Sequence, residues 1–498
     1  MKTKISPWSI AATILLGVLM CLQGQPPNFA TLHNFTNGTD GANPYAAPLL
    51  SGKTLYGTTT SGGSDADNGT VFAVNIDGTG FLSLHIFSAT DVDGFNSDGA
   101  DPEAGLVLAG TNLYGTAYTG GTKGNGTVFS LATNQIEFDP LDSFPATDAN
   151  GFNTLGADPT AGLVLAGNVL YGTAFVGGTA GNGTLFSLST NGSGFSPLHN
   201  FSPANANGYN NDGADPFAGL VMTNNTLYGA AAFGGKAGNG TIFDYTITSH
   251  GGEFAALYSF SETNADGLNA DGASPEAALC VSGNQLYGVA SYGGAGGSGT
   301  IFSLNTNGTG FVTLYSFSEV DTNGLNSDGA LPDDLILAGN MLYGTALYGG
   351  PVGTGTIFSF NLSNDEFTML YSFSETNADG FNNDGALPNG VVLSGNVLYG
   401  TTVNGGTAGA GTVFGFALTQ PPSLLGASIA QTNLVLSATN GQAGQTYYVL
   451  SSTNLSLPAS QWKKVATNSL AVNGAFTITA TNAVNPNAAQ QFYLLESP

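Results

Sequence analysis

Short apolar or alternating runs bounded by Gly and Asn clusters recur along most of the chain. Gly105-Leu-Val-Leu-Ala-Gly110, Asn112-Leu-Tyr-Gly-Thr-Ala-Tyr118, Gly126-Thr-Val-Phe-Ser-Leu131 and the segment from Phe138 to Phe144 are one such series. None is long enough for a helix, and the alternation predicts β-strands separated by turns. The series is itself repeated. Leu-Tyr followed by Gly places its Tyr at 56, 114, 171, 228, 287, 343 and 399, with spacings of 58, 57, 57, 59, 56 and 56. Each unit therefore carries four short strands, and there are seven units.

A strand quartet repeated seven times suits an all-β, seven-bladed β-propeller over residues 25–418, with an open solenoid as the alternative. The ends of the array favour the ring. It starts at Phe29-Ala-Thr-Leu-His-Asn-Phe35, a lone copy of the fourth strand, and stops after Gly411-Thr-Val-Phe-Gly-Phe-Ala-Leu418, a copy of the third. If the N-terminal strand completes the last blade, the ring closes and no blade keeps an open edge. Beyond a Pro-rich linker at 419–423, residues 424–498 alternate as Asn433–Ser437, Thr446–Ser451, Trp462–Thr467, Phe476–Ala480 and Gln491–Leu495, the pattern of a small β-sandwich.

The repeated Leu-Tyr-Gly-Thr, Gly-Gly, Gly-Asn-Gly-Thr-Val-Phe and Leu-x-x-Phe strings resemble the GloVer tandem repeat of exported bacterial "choice-of-anchor" proteins over residues 29 to 418. The resemblance implies export and a repeated β fold and brings no agreed activity. This chain departs from the shorter family unit by a longer acidic insert between Leu-x-x-Phe and the next Gly-Leu-Val. The strand order is similar to that of kelch propellers by analogy. The C-terminal segment, through Tyr447-Tyr448, Ser452-Thr-Asn-Leu455, Trp462 and Phe492-Tyr493, resembles an Fn3-like module. Its aromatics are expected to be core rather than a ligand platform.

Lys2 and Lys4 precede an apolar run from Ile10 to Leu22, the length of a signal-peptide core, so residues 1–24 read as a signal for export. Lipidation of Cys21 and a retained anchor are the alternatives. Cys280 is then left without a partner, and no disulfide framework is expected. It reads as an apolar strand residue in the place of Leu108, Leu165 and Met222.

Charge narrows the partners. Seven Lys, no Arg and 33 Asp plus Glu give a net charge of −26, and charged residues make up only 8% of the chain. A basic footprint for nucleic acid or for an anionic membrane surface is not available. An extracellular glycan or protein is the expected partner, and a monomer the expected state.

Most acids fall in the inserts. Glu262-x-Asn264-x-Asp266-Gly, followed by Asp271, recurs as Glu319, Asp321, Asn323 and Asp328 and as Glu375, Asn377, Asp379 and Asp384. Oxygens at alternate positions before Gly suit Ca²⁺, although the twelfth-position carboxylate of an EF-hand is Ala273 or Ala386 here. The alternative is that Asn and Asp cap turns by bonding their own backbone. Tyr118, Phe175, Phe233, Tyr292 and Tyr348, where the second strand meets Gly-Gly, are candidate ligand contacts, with rim packing as the alternative. The residue after the insert Gly, Phe95 or Leu268 for example, reads as a wedge. His33, His85 and His199 align with Asp142, Tyr258, Tyr315 and Tyr371, so that slot reads as one open to any amphipathic residue; His250 falls in a polar loop. No nucleophile elbow or zinc helix accompanies them. The function expected is a non-enzymatic, exported binding or adhesion scaffold, with calcium as a candidate stabiliser. The alternative is a carbohydrate-active enzyme with catalytic acids on the acidic face.

Overall fold

The computed structural model describes residues 28–496 apart from 65, 135–136, 250, 419–422, 442–445, 455–460, 471–473, 486–487 and 489–490. Residues 1–24, read above as an export signal, with Cys21, His250 and residues 419–422 of the expected linker, lie outside the described residues. Among the described residues there is no α-helix, and the strands form seven four-stranded and two three-stranded antiparallel sheets. The chain divides into two compact units, Thr31–Gly415 and Phe416–Pro498 with Met1–Ala30.

In the larger unit each sheet follows the sequence grammar. The first runs Leu49–Ser51, Thr54–Thr59, Thr70–Asn75, Leu82–Ile86, with neighbours in chain order paired. Leu-Tyr-Gly-Thr pairs in register with the Thr-Val-Phe strand, from Asn112 opposite Ala132 to Ala117 opposite Thr127 in the second sheet. That register explains the glycine. Phe129 lies across from Gly115, and a Cβ there would sit 2.6 Å from the ring. The same close approach joins Gly57 to Phe72 and Gly400 to Phe414, so only Gly lets the ring cross the strand. The Phe rings at 72, 129, 186, 243, 302, 358 and 414 are all fully buried. Burying each contributes roughly 2–3 kcal/mol against exposure.

The seventh sheet differs in chain origin. Its order is Phe29–Asn34, Thr412–Ala417, Val397–Asn404, Ala386–Ser394, so the first strand of the chain is its outer strand. Phe35 N–H donates to Gly411 O at 3.1 Å, just as Phe87 donates to Gly69 and Phe144 to Gly126.

Successive sheets are joined by one repeated hydrogen bond. Asp101 N–H donates to Asn68 O, Asp158 to Asn125, Asp215 to Asn182, Ser274 to Asn239, Leu331 to Ser298 and Leu387 to Thr354, at 2.9 to 3.1 Å. The seventh member runs from Asn43 of the first sheet to Ala410 of the last at 2.8 Å. A second line behaves alike. Thr58, Thr116 and Thr173 hydroxyls donate to Ala104, Ala161 and Ala218 carbonyls, and Thr401 donates to Ala46.

The smaller unit holds Ser423–Ala430, Asn433–Gly441 and Gly474–Ala480 in one sheet, and Lys463–Ser469, Thr446–Ser452 and Phe492–Glu496 in the other. The strand Ser423–Ala430 begins where the sequence suggested linker. Leu434, Leu436 and Ile478 share one buried cluster with Tyr447, Val449 and Tyr493 of the other sheet. Tyr447, Phe492 and Tyr493 are therefore core, while Tyr448 carries Lys464 Nζ 3.1 Å above its ring.

Candidate functional site

The acidic inserts are held by their own side chains. Asn264 Oδ1 accepts from the N–H groups of Asp266 and Leu268, both at 2.9 Å, and Asp321 and Asn377 do the same in their loops. Asn269 accepts from Gly272 and Gly294 and donates to Ser261 and Gly272 carbonyls, which pins the insert to the Gly-Gly turn. Asp271, Asp328 and Asp384 point inward and are 5%, 4% and 1% exposed. Glu262, Asp266, Glu319, Asn323, Glu375 and Asp379 remain in solvent.

The twelve residues proposed for calcium are thus divided between turn caps, buried acceptors and free surface. Among the described residues, no group of three or more His, Cys, Asp or Glu is arranged to hold a metal ion. Asx turns are formed in all three loops. The residue after the insert Gly is a wedge, with Phe95 seated over Gly124 and Phe381 over Gly409.

The buried Asp explains the histidine slot, and here the sequence reading needs correction. His33, His85 and His199 Nε2 lie 3.0 to 3.1 Å from Asp40, Asp98 and Asp212, and the Tyr258 and Tyr315 hydroxyls donate to Asp271 and Asp328 at 2.7 Å. Tyr371 donates to Asp384 at 2.5 Å. The slot is a hydrogen-bond donor thirteen residues before an acceptor in five of these pairs. In the second sheet the acceptor position is Leu155, and there the slot holds Asp142, which has no such acceptor. The donor ring also stacks on the next sheet, His85 on Phe138 at 3.7 Å and Tyr258 on Phe311 at 4.0 Å. Burial alone would raise Asp98. The His85 contact, the Ser88 hydroxyl and the Ser88 N–H nevertheless hold its carboxyl below the usual range. These groups are committed to structure.

Cys280 pairs with Tyr287 as Val107, Val164 and Val221 pair with their tyrosines, so it occupies the Val place and not that of Leu108. Its thiol donates to Leu335 O at 2.8 Å, and burial pushes its pKa up to about 12. That excludes a ready thiolate.

The five candidate aromatics are not equivalent either. Phe233, Tyr292 and Tyr348 bridge Ala214, Ala273 and Ala330, a place held by Thr119 and Val176 in the second and third sheets. Tyr118 and Phe175 stand one residue earlier. The two sets therefore occupy different register positions at the end of the second strand. Phe233, Tyr292 and Tyr348 are each 46% exposed. Phe175 packs edge-on against Phe217 with ring centroids 5.8 Å apart.

Phe217 belongs to a ring of residues that spacing within one unit did not single out. In every unit the inter-sheet donor has a left-handed backbone, φ from 53° to 58°, and is followed by proline. Leu331 and Leu387 hold this conformation too, which is costly for a branched side chain. The proline rests on a glycine of the preceding sheet, Pro159 on Gly126 and, across the last junction, Pro44 on Gly411. The residue after it is Tyr45, Glu103, Thr160 or Phe217 in the first four sheets and Glu276, Asp333 or Asn389 in the last three. All seven line one cavity of about 390 Å³, joined by Asp334 and Leu347.

Partial burial of its carboxyls sets the chemistry of this cleft. Burial, then Asp101 and Asp158, push Glu103 up to about 7. Burial, then Asp334 and Glu276, do the same for Asp333. Burial also raises Glu276 and Asp334, and brings Asp158 and Asp215 to about 6. Asp334 accepts the Val391 N–H at 3.1 Å. The Tyr45 phenol is raised by burial and then by Glu103, Tyr348 and Asp333, which puts Tyr348 within electrostatic reach of the cavity. Tyr292 is similarly raised by burial, Glu276 and Tyr348, and Tyr118 by burial, Asp158 and Glu103. No lysine lines the cavity.

Repeated sheets joined by a shared inter-sheet bond define a tandem-repeat β protein, and the sequence places it in a family. The chain belongs to the Gloeobacter/Verrucomicrobia repeat family, whose model matches residues 16–212 and 204–414. No curated protein matches it. Among solved structures it is similar to a GH74 xyloglucanase from Xanthomonas campestris, at 12% identity over 93% of this chain and 70% of that one, with a TM-score of 0.50. A putative 6-phosphogluconolactonase from Bacteroides uniformis aligns at 14% identity over 86% and 98%, with a TM-score of 0.44. An oligogalacturonate lyase from Vibrio parahaemolyticus aligns at 12% over 78% and 93%, with a TM-score of 0.45. Identities this low concern the fold alone.

Proposed function

We propose that residues 25–418 form a closed seven-bladed β-propeller that is exported and acts as a binding protein, with its ligand site at the axial cavity. The appended sheets serve as an Fn3-like sandwich module. Closure is supported by the Asn43–Ala410 and Thr401–Ala46 bonds, which repeat across the last junction what joins every other pair of sheets.

One observation carries the functional reading. Six of the seven repeats keep the Asp lock, the second departing at Asp142 and Leu155, while the position after proline is Tyr, Glu, Thr, Phe, Glu, Asp and Asn in turn. Residues that only shape a repeat would recur with it. Variation gathered on one ring, with aromatic rings beside polar groups, has the composition of a small-ligand site.

A thermal-shift screen of neutral oligosaccharides, amines and amino acids against the full chain tests the reading. A ligand that raises the melting temperature should lose most of its effect in a Tyr45→Ala/Phe217→Ala variant. Equal shifts in both proteins would put the site elsewhere.

A second reading, a carbohydrate-active enzyme, is favoured by the carboxyls of Glu103 and Asp333 in one cavity, each held near 7, the range of a general acid. Turnover in a hydrolase and lyase panel, lost in Glu103→Gln or Asp333→Asn, would select it.

A further inference from the structure

We propose that the axial cavity takes a small organic cation, a molecule with one or two primary ammonium groups on a short carbon chain. The inference rests on the reading of this cavity as the binding site and names the class of its ligand.

The cavity is a half-open cleft sized for a small molecule, about 390 Å³, against the several hundred Å³ of ordinary ligand pockets. Two kinds of wall meet in it. Tyr45 and Phe217 are large aromatics left 48% and 37% exposed, and they come from the first and fourth sheets. Glu103 comes from the second sheet, Glu276 and Asp333 from the fifth and sixth. In a ring of seven, the second position lies across the axis from the gap between the fifth and sixth. Carboxyls thus stand at two opposed poles with aromatic side chains between them.

The two key carboxyls have no protein partner. Neither Glu103 nor Asp333 accepts a hydrogen bond from a described residue; only burial and neighbouring acids act on them. Asp271, by contrast, is satisfied by Tyr258 and Ser261, while Asp384 Oδ1 also has no partner among the described residues. Lone half-buried carboxyls facing a cavity without a lysine leave the counter-charge to the ligand. An ammonium group supplies three donors to such oxygens, and aromatic faces attract it further. A metal ion fits less well, since no described cluster of three ligating side chains exists.

The charge state gives a signature. Glu103 faces Asp101 and Asp158, and Asp333 faces Asp334 and Glu276, with the Tyr45 and Tyr348 phenols nearby. All of these are acidic or neutral groups. An ammonium ligand favours the ionised carboxyls, so its binding should release protons and tighten as pH rises from 6 to 8.

The test is a titration of the full chain with 1,4-diaminobutane, with butane-1,4-diol as the uncharged counterpart, a neutral cello-oligosaccharide, and NaCl at matched ionic strength. Diamine binding should exceed diol binding at least tenfold, and should weaken at least tenfold in Glu103→Gln/Asp333→Asn. It should also strengthen between pH 6 and 8 in the native chain, a readout that stands if the double variant fails to fold. Diamine no better than diol, or binding unaffected by pH, overturns the proposal. If the oligosaccharide binds instead and Tyr45→Ala/Phe217→Ala abolishes it, the cation is wrong and the site is right. If Tyr45→Ala/Phe217→Ala weakens neither ligand, both fail.

Discussion

The insert loops and the cleft lined by the residues that follow the prolines are both acidic, yet their acids do opposite things. In the loops, Asp271 accepts from Tyr258 and from the Ser261 N–H and hydroxyl, and Asn264 closes an Asx turn. The acceptor recurs where the ring and Ser donors recur, and it is absent at Leu155 where Asp142 and Pro145 replace them. In the cleft, Glu103 and Asp333 accept nothing from the described protein, and their position holds Tyr, Thr, Phe, Glu or Asn in the other sheets. A repeat protein therefore separates its roles by recurrence. What returns in most units holds the fold, and what changes at one fixed place is where the proposed ligand site lies.

The largest break would come at the strand that the loops and ring both depend on. Deleting residues 25–40 removes the outer strand of the seventh sheet and the fully buried Phe35. Stability should fall by several kcal/mol, about 3–5 for the Phe alone, with aggregation through the uncovered edge. Unchanged melting and solubility in that deletion would contradict closure.

Next in size is the loop acceptor. Asp271→Ala orphans the Tyr258 hydroxyl and the Ser261 N–H, so urea unfolding should show a loss of about 2–3 kcal/mol. The second sheet offers the reverse experiment. Leu155→Asp with Asp142→His installs the missing pair, and the double variant should be more stable than the sum of the singles by about 1 kcal/mol.

Ring acids should behave with the opposite sign. A carboxyl whose pKa is raised by folding costs stability once pH passes its unfolded value, and the cost grows until pH reaches the folded value. For Glu103 and Asp333 that window runs from about 4 to about 7. Glu103→Gln and Asp333→Asn should therefore raise stability at pH 8 by about 1–2 kcal/mol each, discounted because water reaches the cavity. At pH 4 they should change little. Asp98, whose pKa is lowered, should contribute stability at neutral pH that is lost in acid.

The smallest effect expected is on the loop surface. Asp266→Ala with Asp379→Ala removes only exposed carboxyls and should shift melting by less than about 0.5 kcal/mol. Millimolar Ca²⁺ should do no more than NaCl of equal ionic strength.

Much of this fold was legible because its signals are local. Leu-Tyr-Gly needs its Gly for the facing Phe, and that pair sits within one unit. The lone N-terminal strand was legible through the matching absence at the other end of the array. The Asp lock was missed although its signal was present, since Leu155 and Asp142 depart together at the same thirteen-residue spacing. The aromatics at 118 and 175 were grouped with 233, 292 and 348 because a one-residue offset is invisible without the strand register. The ring was missed for a deeper reason. Its residues become neighbours only when seven distant segments converge, and counting acids by loop hid Glu103, Glu276 and Asp333 among carboxyls of another kind. The proline that precedes each was the available marker.

The most direct measurement is isothermal titration of one screened ligand into three proteins: the native chain, Tyr45→Ala/Phe217→Ala, and Asp266→Ala/Asp379→Ala. The account predicts that affinity falls at least tenfold when the ring is cut and stays within twofold when the loops are cut. Equal affinity in the ring variant, or a loss confined to the loop variant, would contradict it.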